Sequence, residues 1–202
     1  IILLSLSTLI FPGEKPTVEQ LTKELPALTG EKKIDRLNVL SGKLVRKDPK
    51  KAKEYADRAL ELAKRHKYPL GEAFALRAQG DAAVRFRQYD DARGLYEAAR
   101  GIFTRLNRES EIAAVFNKLG NMYRRKKTYG LALKRHRRAL ELYVKLKDDY
   151  YIAYSHYKIG NDLSDMDRHN DAVNAYNRSL EIRRKLGNKE EVGDILNNIG
   201  LV

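Results

Sequence analysis

Gly80, Gly120, Gly160 and Gly200 recur every forty residues, and no other feature constrains the fold of this chain as tightly. Three further columns keep the same period: Ala52, Ala92, Ala132 and Ala172; Ala59, Ala99, Ala139 and Ser179; Leu62, Ile102, Leu142 and Ile182. Four columns at one spacing make the chain an array of similar units, each leaning mainly on its neighbours. Every recurring glycine sits inside a helical pattern, as in FNKLGNMY, where it costs about 1 kcal/mol against alanine. A cost repeated at each unit implies that a neighbouring helix comes close and fills the space a Cβ would take. The alanines at 92 and 99, and at 132 and 139, lie seven apart and so share one helix face.

Composition agrees with such an array. Ala, Leu, Lys, Arg and Glu dominate, strand-type runs are missing, and 33% charged residues suits thin layers with much surface. The expected helix pairs are 31–46 with 49–66, 72–87 with 90–106, 111–126 with 130–147, and 151–166 with 170–186. A lone first helix follows at about 190–202, expected to expose Ile195, Leu196, Ile199, Leu201 and Val202. Asp48-Pro49 offers an N-cap followed by proline at the first helical position, and Asp90 and Asn170 are read in the same role. Gly187 is placed for a left-handed C-cap. Before the array, Thr17 and Gln20 form a capping-box pattern for a short helix that Pro26 ends.

The units are therefore drawn at about 31–70, 71–110, 111–150 and 151–190, with a partial unit at 191–202. Residues 14–30 are a linker with its short helix. Residues 1–13 hold the apolar run IILLSLSTLIF and then Pro12-Gly13. That run matches the core of an export signal, although it lacks a basic leader and an Ala-x-Ala site. Its length falls short of the ~20 residues that span a bilayer, so the other readings are a remnant of an anchor or a buried helix. The chain reads as a piece of a longer one.

The formal charge of +13 is banded. Residues 31–70 hold 13 basic against 6 acidic side chains and residues 111–150 hold 11 against 4, while 71–110 and 151–190 each hold 7 against 6. Banding favours a local anionic contact over a diffuse solubility effect. The absence of cysteine excludes a disulfide scaffold and a thiolate metal site. The four histidines show no ligand spacing, and Asp162, Asp165 and Asp167 lack the glycine and glutamate of a calcium loop. No metal and no cofactor is expected. The chain shows no nucleophile motif, and its glycines are mid-helix where no phosphate loop can form, so it is read as a non-enzyme.

The stretch LGNMY at 119–123, the stretch KIGNDL from Lys158, and the set Tyr89, Ala92, Tyr96 and Ala99 resemble the signature of the tetratricopeptide repeat. The period of forty exceeds that family's usual ~34 and is similar to its longer-helix members, among them kinesin light chains and many bacterial signalling proteins. The tryptophan of the first helix is replaced by Leu76, Phe116, His156 and Leu196. The unit at 31–70 has Leu40 in the glycine column, as an atypical terminal repeat would.

The resemblance implies an all-α, right-handed α-solenoid whose first helices line a concave groove that holds a protein or peptide. Groove positions are then Phe74, Arg77, Asp81, Asn117, Asn121, Arg124, Arg125, Tyr154, Tyr157, Asn161 and Asn197. The amides of Asn117 and Asn121 would pair with an extended backbone, and the arginines would grip a carboxylate. Lys126, Lys127, Lys134, Arg137 and Arg138 form the densest basic surface, read as solvent-facing and open to an anionic partner.

The order of segments also resembles the exported sensory N-terminus of bacterial signalling proteins. That likeness implies a binding or input module in the bacterial envelope, touching a membrane only through its N-terminal segment. Two alternatives stand beside it. One is a cytoplasmic regulator that binds nucleic acid through the basic bands. The other is the regulatory part of an enzyme whose catalytic domain lies beyond residue 202.

Overall fold

The computed structural model describes residues 16–202, so the apolar run and the export reading attached to it lie outside the described residues. A short helix, α1 (Val18–Glu24), passes through a 3-10 turn at Leu25–Ala27 into α2 (Gly30–Leu44). Then follow α3 (Pro49–Arg65), α4 (Pro69–Arg85), α5 (Tyr89–Arg105), α6 (Glu109–Arg125) and α7 (Tyr129–Leu146). The array continues with α8 (Asp149–Ser164), α9 (His169–Lys185) and α10 (Lys189–Gly200). Among the described residues there is no strand, and no helix is long and apolar enough to cross a membrane. From α3 onward a helix begins every twenty residues, at 49, 69, 89 and so on to 189. The backbone thus repeats at half the period of the side chains.

The turn sets this stride. Lys67, Arg87, Asn107, Lys127, Lys147, Asp167 and Gly187 all take φ between 52° and 72°, the left-handed region. The following residue then donates its N–H to the carbonyl five positions back, from Tyr68 to Ala63 at 2.9 Å through Asn188 to Arg183 at 3.1 Å. This closure satisfies carbonyls that a helix end leaves open and launches the next helix at a fixed point. Only Gly187 takes that conformation without a side-chain penalty; the other six positions accept one of about 1 kcal/mol each.

Because the turn fixes the start, side-chain caps are used at few places. Asp48 accepts the Lys51 N–H at 3.0 Å, and the Thr17–Gln20 capping box is present. Asp90 and Asn170 are not caps: they lie inside the first turns of α5 and α9, behind Gln88 and Arg168, which make no side-chain cap bond. For the same reason the first helices α4, α6 and α8 start two or three residues before the sequence pattern suggests.

The glycine column does what its cost implied. A Cβ at Gly80 would stand 2.7 Å from the Tyr96 ring, at Gly120 2.4 Å from His136, and at Gly160 2.5 Å from Tyr176. Gly200 has no such neighbour within 4 Å. In the first unit the sizes are exchanged, with Leu40 in the glycine column and Ala56 in the ring column, both fully buried. The alanines of the two small columns are likewise fully buried, so paired helices approach closely along their whole length.

The first helices α2, α4 and α6 touch one another in sequence, whereas the second helices make no comparable contact. The first helices therefore lie on the inner, tighter side of the curve. On α10, Ile195 is buried against the cluster of Leu163, Tyr176 and Leu180, and Ile199 and Val202 are partly buried against it, contrary to expectation, while Leu196 and Leu201 are exposed as expected.

Candidate partner-binding groove

Between α2 and α4 the inner side opens into a pocket of about 420 Å³, where Phe74, Arg77 and Asp81 meet Asp35, Asn38 and Tyr68. Phe74 is held edge-on against Phe103, with ring centroids 5.3 Å apart, and the Arg77 guanidinium lies 4.9 Å over its ring. Both side chains are thereby fixed by the core yet present a face to the groove. Asp81 is engaged from within: it accepts the Tyr96 hydroxyl at 2.7 Å and pairs with Lys118 at 2.7 Å. Burial, reinforced by Asp81, raises the Tyr96 phenol well above its ordinary value, so it remains a donor.

Further along, a second pocket of about 460 Å³ gathers Asn121, Arg124, Arg125, Lys127, Tyr129, Tyr154, Lys158 and Asp165, together with Arg46 from the turn after α2. The superhelix curls enough to bring the first unit against the third and fourth. Arg124 pairs with Asp165 at 2.6 Å. Lys158 sits between two aromatic faces, its ammonium 5.0 Å from the Tyr154 centroid and 5.4 Å from that of Tyr157. Burial lowers its pKa, and the charges of Arg124 and Arg46 add to the effect. An adjoining pocket lined by Val45, Arg85, Lys118 and Met122 shares Arg46, Asn121 and Arg125 with this one.

The asparagines named from the sequence separate in space. Asn121 opens onto both pockets and makes no side-chain hydrogen bond among the described residues. Asn117 is only 5% exposed and its Oδ1 is buried without a partner, so it faces the packed helices rather than the groove. Asn161 is buried as well and accepts the Tyr176 hydroxyl at 2.8 Å. Asn197 is exposed on α10, and it is the next residue, Asn198, that donates to the Tyr157 hydroxyl at 2.9 Å.

The densest basic run does not form one surface. Lys126 pairs with Asp90 at 3.3 Å, and Lys127 turns into the groove with Arg125 because its left-handed φ of 59° redirects it. Lys134, Arg137 and Arg138 stand exposed on α7, a second helix, where Arg138 pairs with Glu141 and a recess of about 420 Å³ is shared with Phe116 and Leu133. Lys158 and Arg46 are among the groove residues that the sequence did not point to, with Asp35, Asn38, Tyr68 and Tyr129. Lys158 carried a signal, a lysine that follows two tyrosines, one of them a helical turn back, in YSHYK. Arg46 carried none, since most of its neighbours in space lie two or three units further along the chain.

In the third unit a different polar contact stands behind the groove. His136 and Asp162, both fully buried, meet at 2.5 Å between Nδ1 and Oδ2. Burial raises the Asp162 carboxyl above its ordinary value, against the opposing pull of the His136 hydrogen bond. The second Asp162 oxygen has the Arg124 guanidinium 3.9 Å away. No group of three or more potential metal ligands occurs among the described residues.

Residues 111–202 match the tetratricopeptide repeat family model. No curated protein matches the chain in sequence. Several solved structures share its fold. BtubC (BKLC) from P. vanneervenii superposes with a TM-score of 0.72 at 19% identity, over 91% of this chain and 78% of its own. Aspartyl phosphate phosphatase F from Bacillus subtilis gives a TM-score of 0.78 at 14% identity, over 88% of this chain and 47% of its own. A Rap protein complexed with competence and sporulation factor gives 0.63 at 17% identity, over 90% and 56%. The chain spans about half the length of these last two, and at such identities the likeness is one of fold. Residues 111–202 thus resemble the tetratricopeptide repeat in sequence, and the helix pairs before them share the fold of that family's solenoids.

Proposed function

We propose that this chain is a binding module that holds a segment of a partner protein in its concave groove and performs no chemistry of its own. The observation that carries this reading is the pair of open pockets on the inner side, about 420 and 460 Å³, the first walled by Phe74 and Arg77, which the core fixes from behind. Fixed aromatic and arginine side chains in a concave wall bind with little ordering cost. The Rap neighbour, complexed with its factor, supports the same use of this fold. We extend the proposal to an exported bacterial input module within a longer signalling protein, on the resemblance in segment order.

A displayed peptide library selected on this chain tests the groove. Selected peptides should crosslink to α4, α6 or α8, and Phe74→Ala with Arg77→Ala should weaken those that occupy the first pocket about tenfold. Peptides that map instead to α7, and lose affinity on Arg137→Ala with Arg138→Ala, would place binding on the outer face and end this reading.

A further inference from the structure

The three glycine gaps are filled by rings, and the rings determine what the groove offers. Tyr96 and Tyr176 reach the residue just after the glycine, Asp81 and Asn161, and occupy its side chain. In the third unit the corresponding residue is Asn121. His136 is shorter than tyrosine and turns to Asp162 on the next unit, so Asn121 keeps both its amide donors and its acceptor. Around this one released amide stand Arg46, Arg125, Lys127 and Lys158, none of them in an ion pair among the described residues. The only carboxylate in that pocket, Asp165, is already taken by Arg124.

Like charges gathered in a pocket repel one another, and among the described residues no carboxylate forms an ion pair with any of these four, although Asp162 eases the charge of Lys158 from a distance. Lys158, half-buried, is further destabilised as a cation by the loss of water around it. An anion entering the pocket relieves both effects at once, which makes the site selective for negative charge. Its shape narrows the choice. The basic lining runs through two adjoining pockets that share Arg46, Asn121 and Arg125, with Arg85 at the far end, where the one carboxylate, Asp81, is paired with Lys118. Cations strung along a groove suit a row of single charges better than one phosphate. A volume of about 460 Å³ takes a few side chains and has no room for a nucleic-acid duplex.

Resting on the groove reading above, we infer that the third unit's groove is a site for an acidic protein segment, an extended stretch carrying several Asp or Glu side chains. Asn121 pairs with its backbone, which offers one donor and one acceptor per residue. Arg125, Lys127 and Lys158 take carboxylates from one wall, and Arg46 takes one from the first unit. The segment therefore bridges units that are far apart in the chain, and binding restrains the curvature of the array.

Fluorescence anisotropy with a labelled oligo-glutamate peptide and the full chain tests this directly. Binding is expected at low salt and should weaken steadily as salt rises. Arg46→Gln and Lys158→Met, with folding checked by circular dichroism, should each weaken it about tenfold or more, the scale of a lost charged hydrogen bond. Arg137→Gln with Arg138→Gln on α7 should leave it within about twofold. A library-selected neutral peptide that crosslinks to the first helices, beside no binding of oligo-glutamate, would overturn this inference and leave the groove reading intact. No groove binding by any peptide would remove both. Competition by inorganic phosphate at the peptide's own concentration would reveal a single-anion site, and tighter binding of a single-stranded oligonucleotide a nucleic-acid site. Either result overturns the acidic segment.

Discussion

The second and fourth units fill the glycine gap with tyrosine, and the third fills it with histidine. Tyr96 and Tyr176 hold polar groups of their own first helix, whereas His136 holds Asp162 on the following unit. One ring type keeps the polar contact inside a unit and silences a groove side chain; the other joins two units and leaves Asn121 open. Residues at the back of a repeat, with no exposure themselves, thus determine which residues on the inner face are free to bind.

The sharpest way to break this comparison is to trade the gap-filling pair for that of the first unit. Tyr96→Ala should cost about 3–5 kcal/mol through the cavity it leaves, and Gly80→Leu about 1–3 kcal/mol through overpacking. Together they rebuild the Leu40 and Ala56 arrangement, so the double variant should be at least about 1 kcal/mol more stable than additivity requires. Urea denaturation reads all three. Strict additivity would mean that the exchanged sizes in the first unit do not report one shared contact.

A second test makes the third unit like its neighbours. His136→Phe keeps a ring over Gly120 but strips Asp162 of its hydrogen bond, leaving a fully buried carboxyl with Arg124 at 3.9 Å. A loss of about 3 kcal/mol is expected. Adding Asp162→Met, the residue that Met122 supplies one unit earlier, should recover most of that loss. If His136→Phe alone is neutral, the buried pair is not what sets this unit apart.

The smallest effect is in acid. His156, half-buried on α8, has its pKa lowered, first by burial and then by the charge of Arg178. The unfolded chain keeps the ordinary value near 6.5, so it binds more protons just below that pH. Stability is therefore full above about pH 6.5 and falls as the pH drops through the lower folded value. His156→Leu, the residue that Leu76 supplies two units earlier, should flatten that slope. Thermal denaturation between neutral and mildly acidic pH checks it, and an unchanged slope would assign the acid sensitivity elsewhere.

Much of the fold was legible because a solenoid is held by contacts between equivalent positions. Period, small-residue columns and helix faces are properties of spacing, and spacing is written in the sequence. The glycine gap and the exchange of Leu40 for glycine both follow from it. Other features were hidden for particular reasons. The twenty-residue turn carries Lys, Arg, Asn or Asp at its left-handed position in six of seven cases, so no glycine marks it. Asn117 and Asn121 stand one helical turn apart, and their spacing alone assigns them to one face. Only the pitch of α6 against its neighbours buries the first and opens the second.

Arg46 shows the same limit at larger scale. Its meeting with Lys158 depends on how far each unit rotates on the last, a small angle summed over three units. The sequence by itself determined that this chain stacks helix pairs and which residues are equivalent in each pair. The tertiary structure alone decided which equivalent residues are used up in the core and which cations converge across the groove. Packing angles and superhelical curl are set by side-chain volumes acting together, and no local pattern records their sum.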